Sequence, residues 1–227
     1  MKYALSPSKA HRFLRCTASL LHDKKEEETP ATIRGRQLHE YAYLKLTNQD
    51  YEEFAEIHQF NDYEENLINC YVNAVHEEAI RIGATKRVFE KKESASLYFF
   101  NFNYIIDALL IGGDTASIID LKTGNIDVEV EKNEQLLFYA HDVSIKYPKI
   151  KKFRLSIFQK MRMKTQEIQK QDIIDFFLEK YDIFEEIHSE DLKYRPSEKA
   201  CQWCAIKNTC IARANWIVRG KPDEYEV

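Results

Sequence analysis

Apolar residues recur at helical spacing through the first third of the chain. Residues 6–21 read as one helix, opened by the Ser6-Pro7 pair, and the polar run 22–30 reads as a loop. A second helix over 33–46 carries Leu38, Ala42 and Leu46 along one side. After an acidic connection, residues 62–82 form a third, with Leu67, Tyr71, Ala74 and Val75 at helical spacing and Gly83 at its end. The pattern then shifts to β-branched and aromatic residues, which predicts strands at 86–92, 97–111, 116–121 and 152–159. A helix over 133–147, closed by Pro148, separates the last two strands, and another follows at 172–187. The order predicts an α/β (α+β) fold, a central mixed sheet flanked by helices, with a helical N-terminal region and a cysteine-rich tail.

Strands 97–111 and 116–121 flank Gly112-Gly113-Asp114-Thr115, which predicts a tight antiparallel hairpin. With Gly113-Asp114 as a two-residue turn, Gly112 faces Thr115 and Asp107 lies opposite Asp120. Directly opposed residues have Cβ atoms roughly 4.5–5.5 Å apart, and two carboxylates that close repel each other unless a cation sits between them. Alternation along the strand places Lys122 on the face of Asp120. Two acids and a lysine on one face suit Mg²⁺ or Mn²⁺ and chemistry on phosphate. An Asp-x-Lys tripeptide alone is common, so the register carries this reading; a slip of one residue would put the carboxylates on opposite faces.

Composition narrows the setting. The 227 residues are 31% charged and 44% hydrophobic, as in a folded globular protein, and five prolines and six glycines leave little for a linker, so one domain is expected. Lys9, Arg12 and Arg15 interrupt the first segment, no signal peptide is expected, and no later run approaches the roughly 18 apolar residues of a membrane span. The expected location is the cytoplasm, bacterial if the chain is phage-encoded, without a membrane partner; its five cysteines then read as ligands, reactive groups or core residues. A net charge of −4 argues weakly against nucleic acid, but the charges are segregated. Between Lys146 and Lys170 the basic residues, among them Lys160, Arg162 and Lys164, meet one acid, Glu167, while acids collect at 26–28 and 50–65. That segregation suits a basic face for phosphate.

Cys201, Cys204 and Cys210 form a C-x2-C-x5-C pattern, a cluster that points to metal ligation. Zinc and an iron–sulfur cluster both accept thiolates, though the x5 interval departs from the common zinc modules. Cys16 or Cys70 could supply the fourth ligand.

Several segments together resemble the RecB/AddB-type branch of the PD-(D/E)XK nucleases. Ile105-Ile106-Asp107, the run from Ile118 through Asp120-Leu121-Lys122 to Gly124, and Gln135-Leu136-Leu137-Phe138-Tyr139 look like its successive core motifs. Gly35-Arg36-Gln37-Leu38-His39 looks like its upstream histidine motif, and the cysteines resemble its iron–sulfur framework. The pattern is also similar to an uncharacterised phage-associated group and to the CRISPR-adaptation nucleases. The resemblance implies a restriction-endonuclease-like core over 84–190, preceded by a helical part (1–83) and followed by a cluster-binding tail (191–227) joined to Cys16. It implies metal ligation by His39, Asp107, Asp120 and the backbone carbonyl of Leu121, with Lys122 as the catalytic lysine. It implies a [4Fe-4S] cluster on Cys16, Cys201, Cys204 and Cys210, with Zn²⁺ as the alternative, and DNA contact by Gln135 and Tyr139, which share a helix face at i and i+4. The implied activity is a Mg²⁺- or Mn²⁺-dependent exonuclease on single-stranded DNA or DNA ends, working with phage recombination or replication proteins. The competing reading is a catalytically silent iron–sulfur module binding DNA or protein. Tyr43, where the family often has an acid, and Tyr104, where it commonly has glycine, depart from the pattern.

Overall fold

The computed structural model describes residue 3 and residues 5–22 and 28–220. Residues 23–27, which include most of the expected loop at 22–30 and of the acids at 26–28, lie outside the described residues. In chain order the helices before the sheet are α1 (Ala10–Phe13), α2 (Pro30–Leu46), α3 (Tyr51–His58) and α4 (Asp62–Arg81). Strands β1 (Lys86–Leu97), β2 (Phe100–Gly112) and β3 (Thr115–Lys122) follow, then α5 (Glu134–Lys146), β4 (Lys152–Gln159) and β5 (Arg162–Gln169). The chain closes with α6 (Lys170–Glu179), α7 (Tyr181–His188), α8 (Glu198–Gln202) and α9 (Ile211–Val218).

The chain divides into two compact units. The larger, Glu27–Glu93 with Tyr104–Ile173, contains most of a five-stranded sheet in the order β1-β2-β3-β4-β5. Strands β2 and β3 are antiparallel, β3 and β4 parallel, β4 and β5 antiparallel, so the sheet is mixed as expected. The β2–β3 register is the expected one, with Gly112 opposite Thr115 and pairs running back to Ala108 opposite Ile119. Gly112 is fixed by close approach, because a Cβ there would meet the Ile82 carbonyl oxygen at 2.1 Å, and Gly113 turns the chain with φ +58°. Under the sheet, α4 buries Leu67, Ile68, Tyr71, Val72, Val75 and Ala79, in one cluster with Ala108 and Leu110 of β2, Ile119 and Leu121 of β3 and Phe158 of β4.

Several elements differ from the sequence expectation. Helix α2 begins at Pro30, because Thr29 and Thr32 form a reciprocal cap that supplies the orphan N–H groups of the first turn. Helix α3 lies within the expected acidic connection. Strand β5 occupies part of the basic stretch; Lys160 and Met161 turn the chain with φ of 50° and 59°, without the glycine or asparagine that signals such a turn. The expected helix 172–187 is broken at Lys180, whose backbone (φ −97°, ψ 4°) leaves the helical region.

The smaller unit comprises Met1–Glu26, Ser94–Asn103 and Ile174–Val227. Here the expected helix 6–21 is interrupted: α1 is flanked by 3₁₀ turns at Pro7–Lys9 and Thr17–His22. The reason is competition for the backbone, since Ala18 N–H donates to the Lys193 carbonyl rather than back along a helix. Buried Glu186 gathers the ends, accepting from Thr17 Oγ1, from the Lys193 backbone N–H at 3.1 Å and from both terminal nitrogens of Arg195.

Candidate active site

Three elements of the larger unit bring acids and a histidine together. His39 sits in the third turn of α2, and its Nδ1 lies 3.2 Å from Glu90 Oε1 of β1 and 3.3 Å from Asp107 Oδ1 of β2. One ligand atom from each residue falls within 4.8 Å of the others, a group able to hold a metal ion. Burial alone would lower the His39 pKa, but the paired carboxylates of Asp107 and Glu90 outweigh it and raise it to about 10. Two carboxylates this close favour a positive charge beside them.

Glu90 was not among the expected ligands. It lies in β1 with φ +44°, outside ordinary strand geometry, and this local break accompanies a carboxylate turned toward His39. Such a break leaves no mark in the sequence, where Glu90 reads as one more polar position of a strand.

Asp107 and Asp120 are both buried, at 9% and 4% exposure, just beyond the last regular pair of the β2–β3 ladder, Ala108 with Ile119. Asp107 Oδ2 accepts the Leu121 backbone N–H at 2.6 Å. Asp120 belongs to a second, contiguous set. Its Oδ2 lies 2.8 Å from Lys122 Nζ, and its Oδ1 accepts from Gln135 Nε2 at 2.9 Å. Gln135 in turn accepts from Lys122 Nζ at 3.0 Å and donates to the Tyr139 hydroxyl at 2.6 Å. Asn133 caps α5 by accepting from Leu136 N–H, which sets the helix start that carries Gln135 inward. Burial pushes the Asp120 carboxyl up; Lys122 opposes this and Asp107 adds to it. Burial likewise works against the Lys122 charge, but Asp120 overcomes it and holds the ammonium above its ordinary range.

The expected convergence on one point is therefore resolved into two adjoining groups: His39–Glu90–Asp107, and Asp120–Lys122–Gln135–Tyr139. Tyr104, the family departure, stacks on Tyr139 with centroids 4.9 Å apart and donates to Asp142, so its bulk braces α5. Gly35 explains its own place in the histidine motif: a Cβ there would lie 3.2 Å from Thr123 Oγ1, just beyond Lys122.

In the smaller unit, Cys16, Cys201, Cys204 and Cys210 line one pocket together with His22, Tyr194 and Pro196. Burial raises the Cys16 thiol, while backbone N–H groups of Arg195 and Ser19 pull it down. Cys70 stands apart, half-buried on α4. Of the expected phosphate contacts, Lys160 pairs with Asp127 at 2.7 Å and Lys164 with Glu129 at 3.0 Å. Arg162 is exposed and has no ion pair among the described residues.

Sheet and site define an α+β protein with a His/Glu/Asp group that can hold a metal ion beside an Asp–Lys pair. The chain belongs to the family described as Protein of unknown function (DUF2800), whose model matches residues 3–226. No curated protein matches the chain. Among solved structures it is similar to a candidate exonuclease from Eubacterium rectale, with a TM-score of 0.50 and 11% identity over 94% of this chain and 88% of that one. An alkaline exonuclease from Laribacter hongkongensis aligns with a TM-score of 0.37 and 15% identity over 81% of this chain and 91% of that one. The first likeness concerns the fold, and the restriction-endonuclease-like core expected from the sequence is present.

Proposed function

We propose that this chain is a Mg²⁺- or Mn²⁺-dependent DNA nuclease, an exonuclease acting on single strands or DNA ends. The observation that carries the reading is the approach of His39, Glu90 and Asp107 within 4.8 Å, adjoining Asp120 and Lys122. The fold shared with a candidate exonuclease supports it. The donor set fits a divalent cation: one imidazole nitrogen and hard carboxylate oxygens, with three acids in the two groups against His39 and Lys122. His39, Glu90, Asp107 and Asp120 would hold it, with the Leu121 carbonyl.

When bound, the cation lowers the pKa of water and polarises a phosphoryl oxygen. Lys122, kept protonated by Asp120, offers its ammonium to charge gathering on the phosphate. Gln135 holds Asp120 and Lys122 in place through its two amide ends. Tyr139, buried and braced by Tyr104, positions Gln135, which is the less buried of the two and would meet DNA. Lys160, Arg162 and Lys164 supply phosphate contacts on the β4–β5 hairpin.

The same reading assigns a [4Fe-4S] cluster to Cys16, Cys201, Cys204 and Cys210. The C-x2-C-x5-C interval, which departs from the common zinc modules, favours it over zinc. The cluster is structural, closing a loop of nearly the whole chain. Phage recombination or replication proteins are the proposed partners.

Labelled single- and double-stranded DNA incubated with Mg²⁺ or Mn²⁺ tests the enzyme reading. Degradation by wild type, abolished by chelator and by Asp120→Ala or Lys122→Ala with DNA binding retained, supports it. If wild type and both variants leave every substrate intact, the enzyme reading is wrong.

A further inference from the structure

Cys16 is the remote member of the cysteine set. Cys201, Cys204 and Cys210 follow one another within a short stretch, whereas Cys16 joins their pocket from the other end of the sequence. Local chain geometry cannot place it there, so tertiary contacts must. One of them reaches the sulfur itself: the Arg195 backbone N–H, 179 residues along the chain, donates to Cys16 Sγ at 3.4 Å. Cys16 also gives its thiol proton to the Lys193 carbonyl at 3.7 Å. A cysteine bound to iron is a thiolate and has lost that proton, but it can keep the N–H contact.

Buried Glu186 of α7 grips both sides of this contact. Thr17, next to Cys16 in the chain, donates its hydroxyl to Oε1. Both terminal nitrogens of Arg195 donate to the same carboxylate, one of them to Oε1 at 3.0 Å. The Lys193 N–H divides between Thr17 Oγ1 at 2.8 Å and Glu186 Oε1 at 3.1 Å. One carboxylate thus holds the neighbour of the acceptor sulfur and the residue that supplies the donor. Apolar residues of similar volume fasten two segments as well as a buried ionic group does, so fastening alone does not call for a carboxylate here. A carboxylate also fixes the direction of the groups it gathers, and direction is what an N–H···S bond needs.

We propose that Glu186 is a positioning residue of the cluster site, holding Thr17 and Arg195 so that the Arg195 N–H points at the Cys16 sulfur when that sulfur binds iron. This role rests on the iron–sulfur reading above. An N–H aimed at a ligand sulfur stabilises the added negative charge of a reduced cluster, so hydrogen bonds to the sulfurs help set its reduction potential. Partners behind a metal ligand also govern how firmly the metal is held.

Wild type purified anaerobically is compared with Glu186→Gln, which keeps the size of the side chain but turns an amide toward the Arg195 guanidinium. Voltammetry reads the cluster potential, and visible absorption reads the loss of iron to a chelator. Phe184→Leu, a core change on the same helix that leaves the Glu186 contacts alone, is the control for stability. Glu186→Gln should shift the potential to more negative values and release iron about 10-fold faster or more, while Phe184→Leu keeps the wild-type potential. Thr17→Val, which removes the hydroxyl between Glu186 and Lys193, should shift it in the same direction and carries the test where Glu186→Gln fails to fold. An unchanged potential in these variants overturns the assignment and leaves the cluster standing. So does a Phe184→Leu protein with the same shift, because Glu186 would then act through stability alone. A wild type purified without iron and sulfide removes the cluster and the Glu186 role together.

Discussion

Asp107 accepts the Leu121 backbone N–H through Oδ2 at 2.6 Å while its other oxygen faces His39 at 3.3 Å. One carboxylate thus ties the middle of β2 to the β3 backbone between Asp120 and Lys122 and carries its second oxygen to the histidine. The regular ladder ends at Ala108 and Ile119, one residue short of this tie. A side chain takes the backbone donor there, and the strands hand over from structure to chemistry.

Substitutions at Asp107 separate the two duties. Asp107→Ala strands the Leu121 N–H in a buried place, at a cost of about 1–3 kcal/mol. Asp107→Asn keeps a carbonyl oxygen for that N–H and should unfold near the wild-type temperature. Both should lose divalent-ion binding. Thermal unfolding with and without Mn²⁺ reads both effects.

Gly35→Ala should damage the site more than the fold. Alanine gains roughly 1 kcal/mol of helix propensity, which offsets the push of its Cβ against Thr123 Oγ1 at 3.2 Å. The displaced helix carries His39, one turn further along. Expected are near-normal stability, weaker Mn²⁺ binding, and recovery of binding in Gly35→Ala/Thr123→Ala, where the obstructing hydroxyl is gone. Calorimetric titration of the two variants checks this.

Glu186 makes the smaller unit acid-sensitive. Burial alone would raise its pKa, but Arg195, Thr17 and Lys193 outweigh burial and hold the carboxyl below its ordinary range. A folded value below the unfolded one, about 4.3, means that its stabilisation is complete above that pH and fades as pH falls through the folded value. Glu186→Gln should therefore cost roughly 1–3 kcal/mol at neutral pH, with the gap to wild type closing in acid. Denaturant unfolding at a series of pH values measures the closing.

The basic hairpin is partly masked by its own acids. Exposed pairs such as Lys160–Asp127 and Lys164–Glu129 contribute little to stability, so Asp127→Asn/Glu129→Gln should leave folding intact and tighten DNA binding. Arg162→Ala should weaken it and lower the slope of log affinity against log salt by about 1. Fluorescence anisotropy at several salt concentrations distinguishes the two.

Much of this was legible in the sequence, for identifiable reasons. Gly112-Gly113 announced the hairpin, and alternation then fixed which acids face each other, because a strand offers only two sides. The helix carrying Gln135 and Tyr139 was legible between two strand-like segments, with Pro148 marking its end. Glu90 was not, since β1 has no turn signal to set its register and the backbone break that redirects the side chain is a tertiary effect. Strand β5 hid behind its lysines and a turn without glycine, and α3 behind acidic composition. The interrupted N-terminal helix depends on Lys193, some 175 residues away, which local pattern cannot report.

In the proposed site, His39, Glu90 and Asp107 hold a divalent cation beside the Asp120–Lys122 pair. The most direct measurement is an anomalous difference map from crystals grown with Mn²⁺. A peak is expected within coordination distance of all three side chains, and is lost in crystals of Glu90→Gln. Saturating Mn²⁺ with no peak there, or with a peak only at other residues, would contradict it.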